Sequence, residues 1–181
     1  MGKVIVFIAA SLDGFIARKD DDISWLDAFS ASGEDYGFGK FIQSAGTAVM
    51  GAGTYEQSLA HPERLLKGLK NYILTSRSLP RVPGMNTEFW HDSLPALVGK
   101  IRQESERDIY LVGGGQVISR FLYEGLVDEV HLFLVPVILG EGIPLFTGLS
   151  REISLQLVGT LPYPAGIVRL QYVPEPSPSK R

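Results

Sequence analysis

Twice in this chain a short apolar run stops at a glycine cluster and gives way to helical patterning. Residues 47–50 precede Gly51-Ala52-Gly53, and residues 108–112 precede Gly113-Gly114-Gly115. A strand without a polar face is one buried on both sides, the condition of a central strand in a sheet covered by helices. Residues 4–10 and 71–74 form two further runs of this kind. Parallel neighbours need crossover connections, so such strands separated by helices imply a wound, mostly parallel α/β sheet. Sheets of this type hold ligands beyond the carboxyl ends of their strands, where the glycine turns fall.

The spacing predicts helices over 35–43, over 55–59 with Thr54 as cap, from a Ser93 cap through Glu104, and over 116–124 with Val117, Phe121 and Leu122 facing inward. Residues 19–22 read as a turn, and Pro80, Pro83 and Gly84 mark a surface loop. Residues 127–135 form another apolar strand. Residues 153–161 and 167–173 alternate about a Pro-Tyr-Pro-Ala-Gly connector, the pattern of a closing antiparallel hairpin. One domain over 1–173 is expected, followed by a proline-bearing disordered tail over 174–181.

The 181 residues are 45% hydrophobic, enough to build a core, and the net charge of -3 comes with scattered basic residues. That balance excludes the positive footprint that nucleic acid or an anionic membrane requires. The absence of cysteine removes disulfides and thiolate metal sites, and His61, His91 and His131 lie far apart, so no metal is expected. No apolar stretch reaches the length of a membrane span, and a cytoplasmic location is expected.

A glycine turn between strand and helix bares backbone N–H groups at the helix N-terminus, where they and the helix dipole hold phosphate. Close strand–helix packing explains the same glycines without a ligand. The pattern is not G-x-G-x-x-G, which disfavours an ordinary Rossmann unit. Two turns suit a dinucleotide better than a mononucleotide, and Thr75, Ser76 and Arg77 at a third strand end suit an additional phosphate or a plain surface turn.

These segments, taken in order, resemble the dihydrofolate-reductase-like family, in particular the branch of the reductase (C-terminal) domain of the riboflavin-biosynthesis deaminase-reductase. The likeness runs from Val4 to Val173. It is carried by Ser-Leu-Asp-Gly-Phe-Ile-Ala at 11–17, Val-Met-Gly-Ala-Gly-Thr-Tyr at 49–55, Leu-Thr-Ser-Arg at 74–77, Val-Gly-Gly-Gly-Gln at 112–116 and Pro-Val-Ile-Leu-Gly-Glu-Gly-Ile-Pro-Leu-Phe at 136–146. The resemblance implies that Ala9, Ala10 and the loop to Ile16 border a nicotinamide, and that Gly51, Gly53 and Thr54 receive cofactor phosphates. It assigns Thr75, Ser76 and Arg77 to the adenosine 2′-phosphate of NADPH, and Val112, Gly113, Gly114, Gly115, Gln116 and Val117 to the pyrophosphate turn.

Asp35 precedes Met50 by the spacing at which classical dihydrofolate reductases place their pterin-binding carboxylate, so it is the candidate catalytic and substrate-binding acid. Reduction of a C=N bond needs a proton at nitrogen, which a carboxylic acid delivers directly or through water. A carboxylate that merely serves a helix start is the alternative. Two departures stand out. Ala52 occupies a position often basic, which leaves NADPH preference leaning on Arg77. Phe133 matches the pterin-contacting threonine of the folate enzymes and cannot relay a hydrogen bond.

The expectation is therefore an NADPH-dependent reductase acting on a flat heterocycle or on an imine or carbonyl group. Its best-matched substrate is 5-amino-6-(5-phosphoribosylamino)uracil; dihydropterin or dihydrofolate reduction, or nucleotide binding without turnover, are the alternatives. Phe38, Trp25 and Phe133 are candidate walls of the ring pocket. Asp13 is read as fixing its loop and His131 as a satisfied strand histidine. Homodimerisation is expected, with residues 127–138 as the candidate contact.

Overall fold

A computed structural model describes residues 1–30, 33–61 and 64–176. An eight-stranded sheet runs in the order β5-β4-β3-β6-β1-β7-β10-β9. Its strands are β1 (Val4–Ser11), β3 (Ala45–Gly51), β4 (Lys70–Leu74), β5 (Thr87–Trp90), β6 (Asp108–Gly113), β7 (Glu129–Val135), β9 (Leu155–Pro162) and β10 (Val168–Pro174). Every pair from β5 through to β7 is parallel, and β10 joins β7 and β9 antiparallel. The wound sheet and its closing hairpin are thus as the apolar runs and the Pro-Tyr-Pro-Ala-Gly connector suggested. A two-stranded ribbon, β2 (Phe15–Ala17) with β8 (Ile143–Pro144), stands over the sheet's carboxyl edge.

Helices cover both faces. From α4 (Leu94–Glu104), Leu94, Leu97 and Ile101 pack with Ile118 and Phe121 of α5 (Gly115–Tyr123) against Val4, Val6, Val49 and Leu111. On the opposite face, Phe41 of α2 (Phe38–Ser44) and Tyr55 of α3 (Ala52–Ala60) cover Ile5, Ala48, Met50 and Ile73. A short helix α1 (Asp27–Ser30) lies between β2 and α2. The Ser93 cap forms as expected, its hydroxyl accepting from the Ala96 N–H at 3.4 Å.

Two local expectations are corrected. The helix placed over 35–43 begins only at Phe38, after Gly37 at φ 80°, and Asp35 lies outside it. Thr54 is not a cap, because α3 already starts at Ala52 behind Gly51. In the segment offered as a dimer contact, β7 has β1 on one side and β10 on the other, so neither edge of that strand is open to pairing with a second chain. Of that segment Ile138 remains well exposed. Within the tail, Pro174 ends β10 and the Glu175 N–H donates to Ser154 O at 2.9 Å; residues 177–181 lie outside the described residues.

One ion network fastens α4 to the sheet. Glu104 accepts from Lys70 at 2.9 Å, Lys100 at 2.7 Å and the Tyr72 hydroxyl at 3.0 Å, and Glu88 adds a second carboxylate to Lys70 at 3.2 Å. The Lys100 and Lys70 ammonium groups pull the Glu104 carboxyl down to about 2. A depressed folded-state pKa contributes stability above the ordinary carboxylate value, and that contribution disappears as pH falls through the folded value. We therefore expect Glu104→Gln to cost on the order of 1 kcal/mol at neutral pH, the group being about a third exposed and screened, and to cost little near pH 2. Parallel denaturant melts at the two pH values measure this. An equal loss at both would reject it.

Candidate active site

β1 crosses the sheet's middle, yet Phe7, Ile8 and Ala9 are only half-buried, while Val4, Val6, Ala10 and Ser11 on either side are closed off. The reason is two hollows that meet over these three residues.

The larger is an elongated cleft of about 700 Å³ at the carboxyl ends of β1, β3 and β6. Its walls include Gly51, Ala52, Gly53 and Thr54 on one side and Val112, Gly114, Gly115, Gln116 and Val117 on another. Ile16, Ala17, Asp21, Ile23 and Leu74 also line it. The first turns of α3 and α5 both face this space, so two sets of helix-initial N–H groups are available to an anion. The glycines do different work. At Gly53 an added Cβ would meet nothing within 4 Å, so bare backbone borders open cleft. At Gly115 it would overlap the Pro144 carbonyl oxygen and come within 2.9 Å of the Leu145 carbonyl oxygen. Gly115 is required by packing, the alternative raised from the sequence, as well as being placed at the cleft. Gly113 takes φ +123° and is joined to Gly114 by a cis peptide.

The smaller hollow, about 170 Å³, is walled by Phe7, Ala9, Leu26, Phe29, Tyr36, Phe38, Phe133, Val135 and Ile167, and Asp35 lies at it. Aromatic edges and faces meet here: Phe7 and Phe133 centroids are 4.5 Å apart, Phe7 and Phe38 5.5 Å, Tyr36 and Tyr163 4.9 Å. Asp35 is exposed. Its Oδ1 accepts from the Gly37 N–H at 2.8 Å and its Oδ2 from the Gly39 N–H at 3.2 Å. The same carboxylate that starts α2 therefore also faces an aromatic cavity. Burial pushes the Tyr163 phenol upward, and its hydroxyl donates to Tyr36 O at 3.2 Å.

Of the residues singled out in the sequence, Ala9, Ile16, Gly51, Gly53, Thr54, Val112, Gly114, Gly115, Gln116 and Val117 come together in the cleft, and Asp35, Phe38 and Phe133 in the aromatic hollow. Ala10 does not join them: it is 1% exposed, in the core on the face opposite Ala9. Gly113 is absent from the cleft wall, its Cβ direction meeting Ile118 and Ile8. Thr75 and Ser76 line a separate hollow of about 250 Å³ that shares Leu74 with the cleft. Arg77 lines none of these and pairs with Glu56 at 2.8 Å. Trp25 is buried beside Phe133 and Ile167, its indole N–H lacking an acceptor among the described residues.

Asp13 holds its loop as expected, accepting from the Ser11 hydroxyl at 2.6 Å and the Gly140 N–H at 2.7 Å, and these bonds keep its carboxyl below the usual range. His131 is satisfied by Glu129 at 2.9 Å. Among the described residues no group of three or more His, Asp or Glu side chains is placed to hold a metal ion, and no helix is long and apolar enough to cross a membrane.

Sequence reasoning missed Phe7, Leu26, Phe29, Tyr36 and Ile167 as cavity walls. Phe7 carried a signal: it sits two residues before Ala9, on the same face of one strand.

A model of the RibD C-terminal domain matches residues 2–169. The chain belongs to the RibD C-terminal domain family. A relative from Bacillus subtilis, the uncharacterized protein YwjB, is 34% identical over 172 residues, covering 94% of this chain and 97% of its own. The crystal structure of a putative riboflavin biosynthesis protein from Shewanella sp. PV-4 superposes with a TM-score of 0.85 at 26% identity, covering 96% of this chain and 99% of that one. Dihydrofolate reductase from Enterococcus faecalis, solved with NADP(H), superposes with a TM-score of 0.66 at 16% identity over 97% of this chain and 98% of its own. This RibD C-terminal family member thus has the dihydrofolate-reductase-like fold.

Proposed function

We propose that this chain is an NADPH-dependent reductase that delivers hydride to a small flat heterocycle or to an imine or carbonyl group that such a ring carries. The observation that carries this reading is the junction at Phe7, Ile8 and Ala9. A long cleft with two helix N-termini and an aromatic hollow with a carboxylate both open onto the same three residues. The bare backbone at Gly53 and the amide-rich turns fit a dinucleotide pyrophosphate better than they fit a lone apolar ligand. When bound, nicotinamide supplies a hydride. The chain's own part is to hold the acceptor ring against Ala9 and Phe7, to exclude water with the Leu26 and Phe29 walls, and to serve nitrogen with a proton through Asp35. Hydride adds to carbon and the proton to nitrogen, so a C=N bond, in the ring or in the open-chain imine of a ribosylamino group, becomes CH–NH.

Membership of the RibD C-terminal family supports 5-amino-6-(5-phosphoribosylamino)uracil as substrate and a place in riboflavin synthesis. One observation favours a second substrate, a dihydropterin-like ring without sugar phosphate. The aromatic hollow is below the usual ligand-site range of roughly 300–1,000 Å³. Cytoplasmic location and homodimerisation belong to the same proposal.

The test is fluorescence titration of the purified protein with NADPH, followed by turnover assays on both ring classes. Micromolar NADPH binding and consumption with either ring are expected. No dinucleotide binding would refute the reductase reading and return the glycine turns to packing.

A further inference from the structure

The cofactor reading leaves open what selects one dinucleotide over another, and Arg77, the residue that chain order suggests, is engaged elsewhere. Its Nη2 donates to Glu56 at 2.8 Å on the outer side of α3. The cleft shares Leu74 with the hollow of about 250 Å³ that Thr75 and Ser76 line from the end of β4. Its wall also takes His91 and Asp92 from beyond β5, and Arg120 from α5. Arg120 is the permanent cation of that wall. It stands on the helix whose first residues, Gly115 and Gln116, border the cleft, and it faces a neighbouring hollow together with Gln116.

The guanidinium is positioned and still has donors to give. Only Nε is used, donating to Glu124 at 3.1 Å, and the side chain is 63% exposed. Neither terminal nitrogen has a protein partner among the described residues. The Ser76 hydroxyl is likewise without a protein hydrogen bond among them, whereas Thr75 Oγ1 accepts from the Arg77 N–H at 2.9 Å. A terminal guanidinium edge with a free hydroxyl opposite suits the oxygens of a phosphate monoester. Asp92 opposes this: its carboxylate, already accepting from the Ser93 N–H at 2.6 Å, favours a ribose diol.

Building on the reading of the cleft as a dinucleotide site, we propose that Arg120 and not Arg77 selects a dinucleotide with a phosphate on its adenosine ribose. Arg120 sets the preference, with Ser76 as its partner and Asp92 as the counterweight.

The experiment is paired fluorescence titration with NADPH and NADH of wild type, Arg120→Ala, Arg120→Lys and Arg77→Ala, with displacement by adenosine 2′,5′-bisphosphate or by 5′-AMP. We expect wild type to prefer NADPH and Arg120→Ala to weaken NADPH about tenfold or more while NADH changes less than about twofold. Arg120→Lys should keep part of the preference, and the bisphosphate should lose its advantage over AMP in Arg120→Ala. A wild type without preference, a preference that survives Arg120→Ala, or one erased by Arg77→Ala alone overturns the proposal and leaves the reductase reading standing. So does an equal loss toward both dinucleotides in Arg120→Ala, which would mark disturbance of α5 through Glu124. Failure of wild type to bind either dinucleotide removes the reductase reading itself.

Discussion

Gly115→Ala should lower the melting temperature by on the order of 10 °C and abolish NADPH binding, whereas Gly53→Ala should leave the melt unchanged or slightly raised and still weaken NADPH. The contrast comes from what each added methyl meets. At Gly115 it meets backbone carbonyl oxygens, those of Pro144 and Leu145. Neither has a flexible end to swing aside. Leu145 is buried in the same core as Ile118 and Phe121, its N–H donates to Gly14 O at 2.9 Å, and Pro144 pairs with Phe15 across the small ribbon. Relief would therefore displace α5 or the ribbon. Overpacking of this kind costs about 3 kcal/mol or somewhat more, a large share of a typical domain's stability of about 5–15 kcal/mol. At Gly53 the methyl enters empty cleft, and alanine suits a helix better by about 0.5–1 kcal/mol. Any penalty there falls on the ligand. Thermal melts and titrations on both variants read the two effects separately; a Gly115→Ala protein with wild-type melting would show that the ribbon yields cheaply.

Asp35→Asn should lower kcat by about 10²–10³-fold while leaving NADPH affinity within about twofold. On the proposed reading the carboxylate serves two purposes. Both oxygens receive N–H groups at the start of α2, from Gly37 and Gly39, and each retains a lone pair for a substrate or water at the aromatic hollow. Asparagine keeps one accepting oxygen, so the helix start loses only part of its support, but it cannot donate and regain a proton. A merely capping Asp35 would predict the opposite: a small loss of stability with kcat within about threefold. Its exposure keeps that rival in play, and the kcat measurement decides between them.

The parts legible in the sequence were those whose burial is symmetric. β1, β3, β4 and β6 are apolar on both faces, and their order around the glycine turns was enough to infer the wound sheet. β5 escaped notice because Thr87–Trp90 is a short strand directly after a proline- and glycine-marked loop. The ribbon of β2 and β8 is too short to show any period. The start of α3 was misplaced for a different reason: Gly51 caps it without a side chain, so the nearest hydroxyl, Thr54, drew the boundary three residues late. For the site, neighbours in sequence need not share a hollow. Arg77 follows Ser76 by one residue and pairs with Glu56; Arg120 lies forty-odd residues away and shares Ser76's hollow. Ala10 illustrates the simplest rule, that neighbours in a strand face opposite ways: its side chain lies in the core while Ala9 lines both hollows.

Phe7, Ile8 and Ala9 form wall for two cavities at once, and this places a thermodynamic condition on the molecule. Whatever occupies the cleft supplies part of the surface that the aromatic hollow presents, and the converse holds equally. The two occupancies are then linked, and the factor by which a bound dinucleotide changes the affinity for the ring must equal the factor by which the ring changes the affinity for the dinucleotide. On the proposed reading a product ring would rest on the same shared wall as its precursor, so loss of the spent dinucleotide would change the affinity for the product through three residues in the middle of one strand.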